Sequence, residues 1–249
     1  MTRVVILSPH RDDAVFSLAM TLFRWRTLPV QVNIVNFFTV SRYGPHAVMP
    51  NAKETSPAPV ISYQRRREDR RTIAAIDRRI RVQSVDLLDA PLRLQIDSSS
   101  ICNWADASDH ESDVHLVAGI LKNFDRNSAM IAPLGLGNHI DHLIVRTAAI
   151  HSVQSRLLGF YEDLPYATWT SENAILERVR DTEERLSASL RPAAIRSSCS
   201  VYQKRRLVEQ YRTQIQPAEA SAIAGFALKY HGRERIWAPK HSRLWRFLA

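Results

Sequence analysis

The chain has 249 residues, of which 45% are hydrophobic and 24% charged, and its formal net charge is +9. These proportions are typical of a globular protein and exclude a disordered tail, a collagen, a coiled coil and a solenoid. The apolar stretches fall far short of the roughly 20 residues that a membrane-spanning helix needs. The first residues are also too few and too charged to form the apolar region of a signal peptide. We therefore expect a cytoplasmic protein without a membrane span.

The positive charge raises the question of an anionic partner. Arginines cluster over 65–71 and 78–81, but acidic residues stand among them. This mixture favours a solvated helix face with ion pairs over a nucleic-acid surface. The same arginines are consistent with an anionic small molecule, such as a phosphorylated or nucleotide-linked sugar. Cys102 and Cys199 lie far apart in the sequence, so neither a disulfide framework nor a thiolate metal site is expected.

The predicted elements alternate between strand and helix from the amino terminus. An apolar strand over 3–7 is followed by a helix that begins near Asp12 and stops at Leu28, and then by a second strand over 30–39. Elements of these lengths in this order indicate a βαβ unit with a parallel sheet. Residues 41–62 have no periodicity and contain four prolines, which predicts a long loop that acts as a lid over a functional site.

The alternation continues through the rest of the chain. We predict strands over 82–88, 130–134 and 157–161, and helices over 63–79, 111–124, 140–154, 172–190 and 203–213. No linker rich in proline, glycine or serine indicates a domain boundary. The sequence thus predicts one α/β domain over 1–249. Residues 1–170 form a Rossmann-like, mostly parallel sheet with helices on both faces in three layers, and residues 171–249 form a C-terminal helical elaboration.

Two of the predicted strand-to-helix loops are dense in metal-binding side chains. SPHRDD (8–13) follows the first strand, and GNHIDH (137–142) follows the fourth. In open parallel sheets, ligands bind beyond the carboxyl ends of the strands, where such loops gather. A single Asp-Asp pair at a helix start is more often an N-cap. Two such loops, each directly after a buried strand of one sheet, favour a metal site instead.

The spacing within these loops predicts a set of two histidines and one carboxylate. His10 and Asp13 are three residues apart across the junction of loop and helix, so they can face one point. His142, at the start of its own helix, completes the set. Two imidazoles and a carboxylate suit Zn(II) or non-haem Fe(II) and leave coordination positions open, whereas Mg²⁺ prefers an all-oxygen shell.

The remaining polar residues of the two loops are candidates for acid–base chemistry. Asp12 cannot easily share the cation with Asp13, because successive residues at a helix start diverge by about 100°, so it is the candidate general base. His139 can approach the substrate from the opposite side and, as an imidazolium, stabilise an oxyanion and protonate a leaving amine. Asp141 is expected to orient His139 or to contact the metal ligand His142.

The two loops resemble the motifs of a known enzyme family. SPHRDDAVFS (8–17) resembles the SPHxDDAVxS signature of the PIG-L/LmbE-like zinc-dependent de-N-acetylases, and HIDH (139–142) resembles their second motif, HxDH. Three other segments of the chain are also similar to segments of that family: 65–69, 88–93 and 161–166.

The resemblance implies a role for each residue of the two motifs. It implies that His10, Asp13 and His142 bind zinc, that Asp12 is the base and that His139 is the acid and oxyanion stabiliser. By the same analogy, Arg65 and Asp89 would hold sugar hydroxyls.

The chain also departs from the family pattern at three places, one of which is Ala14, where another branch has glutamate. Arg11 stands where many members have proline, which predicts a cation near the mouth of the pocket. Some members have a tyrosine shortly before the second motif, whereas this chain has Gly135 and Gly137 nearby. We expect these glycines to let the backbone approach the substrate closely.

The function implied by the resemblance is that of a zinc-dependent hydrolase acting on linear amide C–N bonds, an N-acetylglucosaminyl-type deacetylase. It would hydrolyse the acetamide of an N-acetylated amino sugar or small glycoconjugate to a free amine and acetate. The residues leave open an alternative, a non-catalytic Rossmann-like module that binds a nucleotide sugar or nucleic acid. The first loop lacks GxGxxG, so it has no close-approach glycines for a dinucleotide, and a small-molecule partner is expected rather than nucleic acid.

Overall fold

A computed structural model of the protein describes residues 2–47, 58–125 and 127–248. Its strands are β1 (Thr2–Ser8), β2 (Val30–Val40), β3 (Arg81–Leu88), β4 (Ala129–Pro133), β5 (Leu158–Tyr161), β6 (Leu190–Ile195) and β7 (Glu234–Pro239). Its helices are α1 (Asp13–Trp25), α2 (Ala58–Ile76), α3 (Ala90–Arg93), α4 (Glu111–Leu121), α5 (Ile140–Ser152), α6 (Glu172–Leu186), α7 (Val201–Val208), α8 (Pro217–Gly225) and α9 (Trp245–Leu248). No helix in these ranges is both long and apolar enough to cross a bilayer.

The strands form one seven-stranded sheet in the order β3-β2-β1-β4-β5-β7-β6. The first five strands of this order are parallel, and β7 runs antiparallel to both β5 and β6. From β1 the chain first winds toward β2 and β3 and later returns to place β4 on the other side. The winding therefore reverses between β1 and β4, which is where open α/β sheets bind their ligands.

The predicted fold class, a mostly parallel sheet with helices in three layers, is confirmed. The C-terminal part differs from the prediction in one respect, because it contributes β6 and β7 to the sheet in addition to helices. The helix expected over 172–190 ends at Leu186, where Ser187 adopts a left-handed conformation with φ of 51°. The sequence of β6, LRPAAI, has little β propensity, so its strand depends on pairing with β7.

The structure describes only the two ends of the segment 41–62 that was predicted as a lid. Helix α2 begins at Ala58, five residues before the expected start, and residues 41–47 lead away from the end of β2. Residues 48–57 lie outside the described ranges, so a lid at this place stays a prediction.

The C-terminal part is fastened to α1 by a buried ion pair. Helix α1 is interrupted at Leu18, whose φ of −130° is not helical. Beyond this break, the Glu234 carboxylate of β7 accepts hydrogen bonds from the backbone N–H groups of Met20 (3.0 Å) and Thr21 (2.8 Å). Lys204 of α7 donates to the same carboxylate at 2.8 Å, and both charged side chains are buried. The charges are thus paired and hydrogen-bonded, as burial requires.

Candidate metal centre and active site

The loop between β1 and α1 is held by hydrogen bonds within it. The Ser8 hydroxyl donates to the carbonyl of His10 at 2.6 Å and accepts from the backbone N–H of Ala14 at 3.1 Å. The Asp13 carboxylate accepts from the backbone N–H of His10 at 2.7 Å. The backbone and one carboxylate of this loop are therefore fixed before any ligand binds.

The loop between β4 and α5 turns sharply on two glycines, Gly135 (φ 79°) and Gly137 (φ 73°). A Cβ atom at Gly137 would overlap the ring of Tyr166. The absence of a side chain at this glycine therefore leaves space for Tyr166, from the loop after β5. We had expected the glycine to let the backbone approach the substrate, but the structure shows this contact with Tyr166 instead. The sequence has no tyrosine shortly before the second motif, but the structure places Tyr166 in the lining of the cavity beside His139.

The three predicted metal ligands meet at the ends of β1 and β4. One carboxylate oxygen of Asp13 lies 3.3 Å from Nδ1 of His10 and 3.3 Å from Nε2 of His142. Two atoms bound to one zinc ion at about 2 Å and a tetrahedral angle lie roughly 3.3 Å apart, so these separations match a shared cation. Nε2 of His142 is buried and has no hydrogen-bond partner among the described residues. The donor set therefore fits a metal such as zinc.

A second overlapping group of His10, His139 and Asp141 is also close enough to hold a cation. However, Nδ1 of His139 and the carboxylate of Asp141 already accept hydrogen bonds from the protein. The Asp141 carboxylate accepts from the guanidinium of Arg93 at 2.8 Å and from the backbone N–H of Ala90 at 3.0 Å. Nδ1 of His139 accepts from the backbone N–H of Asp141 at 3.1 Å. The group with His142 is the better metal centre.

Each histidine ligand has a carboxylate on its other ring nitrogen. Asp163 lies 2.6 Å from Nδ1 of His142, and Asp141 lies 3.1 Å from Nε2 of His10. Such carboxylates fix the ring orientation of a metal-binding histidine. Asp141 was expected to orient His139 or to contact His142. Its backbone N–H does contact His139, whereas its carboxylate contacts His10, which was not expected. Asp163, which follows β5, was not predicted as a site residue.

The charges of this cluster are strongly coupled. Burial alone would lower the pKa of His10, but hydrogen bonds to Asp13 and Asp141 outweigh it and raise the pKa to about 10. Burial alone would raise the pKa of Asp13, but the charge of His142 and the hydrogen bond from His10 bring it below its usual range. The cluster thus keeps its carboxylates ionised and attracts positive charge. A cation bound there would replace a proton on His10.

Asp12 occupies the N-cap position of α1, but its side chain makes no capping hydrogen bond. Its carboxylate lines the cavity and lies 3.3 Å from a guanidinium nitrogen of Arg65. Arg65 is buried and also donates to the hydroxyl of Ser41 at 3.2 Å. The side chain of Asp12 therefore does not act as a helix cap, which was the alternative role considered for it. The structure shows Arg65 as its ion-pair partner, a contact that the sequence did not predict.

His139 lies beside the metal centre and lines the cavity, with its ring centroid 4.8 Å from that of His10 and 5.1 Å from that of His142. Burial, followed by the charge of His10, holds the pKa of His139 well below its usual value. The surroundings thus favour neutral imidazole rather than the expected imidazolium. Because Nδ1 accepts from backbone, the proton of the neutral ring belongs on Nε2, where it can be donated.

A cavity of about 270 Å³ opens above these residues. Asp89 lines it, and this carboxylate caps α3 by accepting from the backbone N–H of Leu92 at 3.3 Å. Arg11 does not line it, contrary to expectation. Its guanidinium is buried and donates to Ser84 of β3 at 2.8 Å. Tyr43, from the segment predicted as a lid, also lines the cavity. Further lining residues were not indicated by the sequence, among them Trp169, Gln214, Ile215 and Glu219.

The seven-stranded, three-layer arrangement is the fold of solved deacetylases. A deacetylase–teicoplanin complex aligns over 95% of this chain and 98% of its own, with 21% identity and a TM-score of 0.68. The zinc-inhibited form of teicoplanin deacetylase aligns over 95% and 97%, with 20% identity and a TM-score of 0.64. N,N'-diacetylchitobiose deacetylase from Pyrococcus horikoshii aligns over 96% and 84%, with 15% identity and a TM-score of 0.58.

Sequence comparison finds a relative of similar type. The chain is 29% identical over 168 residues to 2'-N-acetylparomamine deacetylase from Streptomyces fradiae. The matched region spans 66% of this chain and 58% of that relative. No protein-family model matches the chain.

Proposed function

We propose that the protein is a zinc-dependent de-N-acetylase of the PIG-L/LmbE-like type, which hydrolyses the acetamide of an N-acetylated amino sugar or small glycoconjugate. The observation that carries this proposal is the convergence of His10, Asp13 and His142 on one point, with the carboxylate of Asp12 on the floor of the adjoining cavity. The names of 2'-N-acetylparomamine deacetylase and N,N'-diacetylchitobiose deacetylase support the reaction type, since both of these substrates carry N-acetyl groups.

Each side chain of the site has a separate role in the proposed amide hydrolysis. A zinc ion held by the three ligands would supply Lewis-acid chemistry toward water and the acetyl carbonyl. Asp12 accepts the proton of the attacking water, and Arg65 keeps its carboxylate in place. Neutral His139 donates a hydrogen bond from Nε2 to the oxygen of the breaking amide, and Asp12 passes the proton that it took from water to the leaving nitrogen. Asp141 and Asp163 hold the two ligand rings. We further propose that Asp89, on the cavity wall, accepts hydrogen bonds from sugar hydroxyls.

The first experiment is metal analysis of the purified protein together with an assay of acetate release from N-acetylated sugars, with and without a chelator. We expect about one equivalent of zinc or iron, activity that a chelator abolishes, and loss of the metal in His142→Ala. The matched control is His115→Ala, because this histidine lies on α4 with an exposed side chain. A protein that binds no metal, or that releases acetate equally well after chelation, would contradict the proposal. If the protein bound nucleic acid with an affinity that falls with salt and does not change with a chelator, the alternative of a non-catalytic Rossmann-like binding module would be supported instead.

A further inference from the structure

The rim of the cavity carries two unusually exposed aromatic side chains. Trp169 is 67% exposed and Tyr43 is 45% exposed, although both line the cavity. The ring of Trp169 stands edge-to-face on that of Tyr166, with centroids 5.8 Å apart. Tyr166 in turn stands on His142 at 5.3 Å. A row of rings thus runs from the metal centre to solvent and ends in an uncovered indole.

An exposed indole beside a catalytic pocket is a recognition surface, because its flat face remains in water until a ligand covers it. The cavity itself, at about 270 Å³, is at the small end of ligand pockets. It accommodates little more than one acetamido ring. The remainder of a larger substrate would therefore extend over the rim, where Trp169 offers a face to the apolar side of a second ring.

The charge of the rim and walls is negative outside the metal centre. Glu219, on the first turn of α8, and Asp89 both line the cavity. Each accepts one capping backbone hydrogen bond, and neither forms an ion pair in the described part of the chain. Among the described residues that line the cavity, Arg65 is the single lysine or arginine, and Asp12 neutralises it. This balance disfavours a phosphate and favours an ammonium group.

We propose that Trp169 and Glu219 form a second subsite, which binds a second ring carrying a free ammonium group. The substrate class is then a cationic, multi-ring amino sugar with one N-acetyl group, rather than the anionic sugar that the arginine content suggested. This inference rests on the proposed deacetylase function. It deepens that function by assigning the part of the substrate that does not react.

The test compares acetate release from three substrates: N-acetylglucosamine (one neutral ring), N,N'-diacetylchitobiose (two neutral rings) and 2'-N-acetylparomamine (two rings, the second with free amino groups). For the native protein, kcat/KM should rise in that order. Trp169→Ala should lower kcat/KM about tenfold for both two-ring substrates through KM, and Trp169→Phe should retain most of it. Glu219→Gln, which preserves the capping hydrogen bond, should lower kcat/KM about tenfold for the cationic substrate alone, and added salt should reduce its advantage.

Two surface variants serve as controls. Tyr202→Ala removes an aromatic side chain that is 66% exposed on α7, and Glu177→Gln removes an exposed carboxylate of α6; both should match the native protein on all three substrates. Equal effects of the rim variants on the one-ring and two-ring substrates would overturn the subsite and leave the deacetylase function intact. Faster turnover of a phosphorylated acetamido sugar would overturn it as well. Absence of acetate release from every substrate by the metal-loaded protein would instead overturn the deacetylase function itself, and the subsite with it.

Discussion

The floor and the rim of the cavity are built in different ways. On the floor, each of the three candidate metal ligands is held by a second group at 2.6–3.1 Å, as in the contacts of Asp163 with His142 and of Asp141 with His10. On the rim, Trp169 and Tyr43 are largely exposed, and Glu219 makes one capping contact. The floor is thus preorganised for one kind of chemistry, whereas the rim is free to vary with the substrate. Changes on the floor should act on the metal and on turnover, and changes on the rim on affinity.

The largest effect on the floor is expected for Asp12→Asn. This change removes the proton acceptor but keeps the shape of the side chain and its contact with Arg65. We expect kcat to fall by roughly 10²–10⁴-fold while the metal content stays at the native level. Parallel metal analysis and acetate assays measure the two effects. Loss of the metal together with activity would show that Asp12 belongs to the ligand set.

Asp163→Asn should weaken the metal centre without removing a ligand. The amide no longer fixes the ring of His142 as a carboxylate does, and loss of such a contact reduces metal affinity about 10–100-fold. Competition with a chelator of known affinity measures this change. Asp125→Asn, on the surface near the start of β4, is the control. An unchanged metal affinity would remove Asp163 from the site.

Gly137→Ala tests whether the turn before α5 must be glycine. The left-handed conformation costs other residues about 1–2 kcal/mol, and the new methyl group would overlap Tyr166. We expect a free energy of unfolding lower by at least about 2 kcal/mol, with part of the loss recovered in Gly137→Ala/Tyr166→Ala. Gly119→Ala is the matched control, because a Cβ there meets nothing within 4 Å and glycine is unfavourable inside a helix. If Gly137→Ala were as stable as that control, the steric argument would be wrong.

Asp69, a buried carboxylate of α2 outside the floor, should affect only the pH dependence of stability. Burial raises its pKa to about 7, although it accepts hydrogen bonds from Tyr211 (3.0 Å) and Asn36 (2.9 Å). A raised carboxyl pKa means that the folded protein holds a proton that the unfolded chain releases near pH 4. The contribution of Asp69 to stability is therefore greatest below that pH and declines as the pH rises toward 7. Asp69→Asn should flatten this decline in denaturant titrations at pH 5 and pH 8. An equal decline in both proteins would contradict the assignment.

Much of the floor could be predicted from the sequence, because it follows strands with clear apolar runs. Segments 8–13 and 137–142 each come directly after such a strand, and parallel strands end at one edge of the sheet. The same rule applied to β5 would have indicated Asp163. The partners of Asp141 and Arg65 could not be predicted, since they depend on how loops from distant strands pack. The rim was also missed, because Trp169 lies in a short turn after β5 and Glu219 on the distant helix α8, and local sequence does not indicate that these two segments border one cavity.

The ion pair between Lys204 and Glu234 connects the last part of the chain to the helix that carries the candidate metal ligand Asp13. Glu234 supplies acceptors for the N–H groups left open where α1 breaks at Leu18, and that helix begins with the ligand Asp13. Shortening the protein before β7 would leave those donors without an acceptor in the middle of the helix. We therefore expect the truncation to destabilise α1 and so to loosen the position of Asp13 at its first turn, although the truncation site lies more than 200 residues away in the sequence.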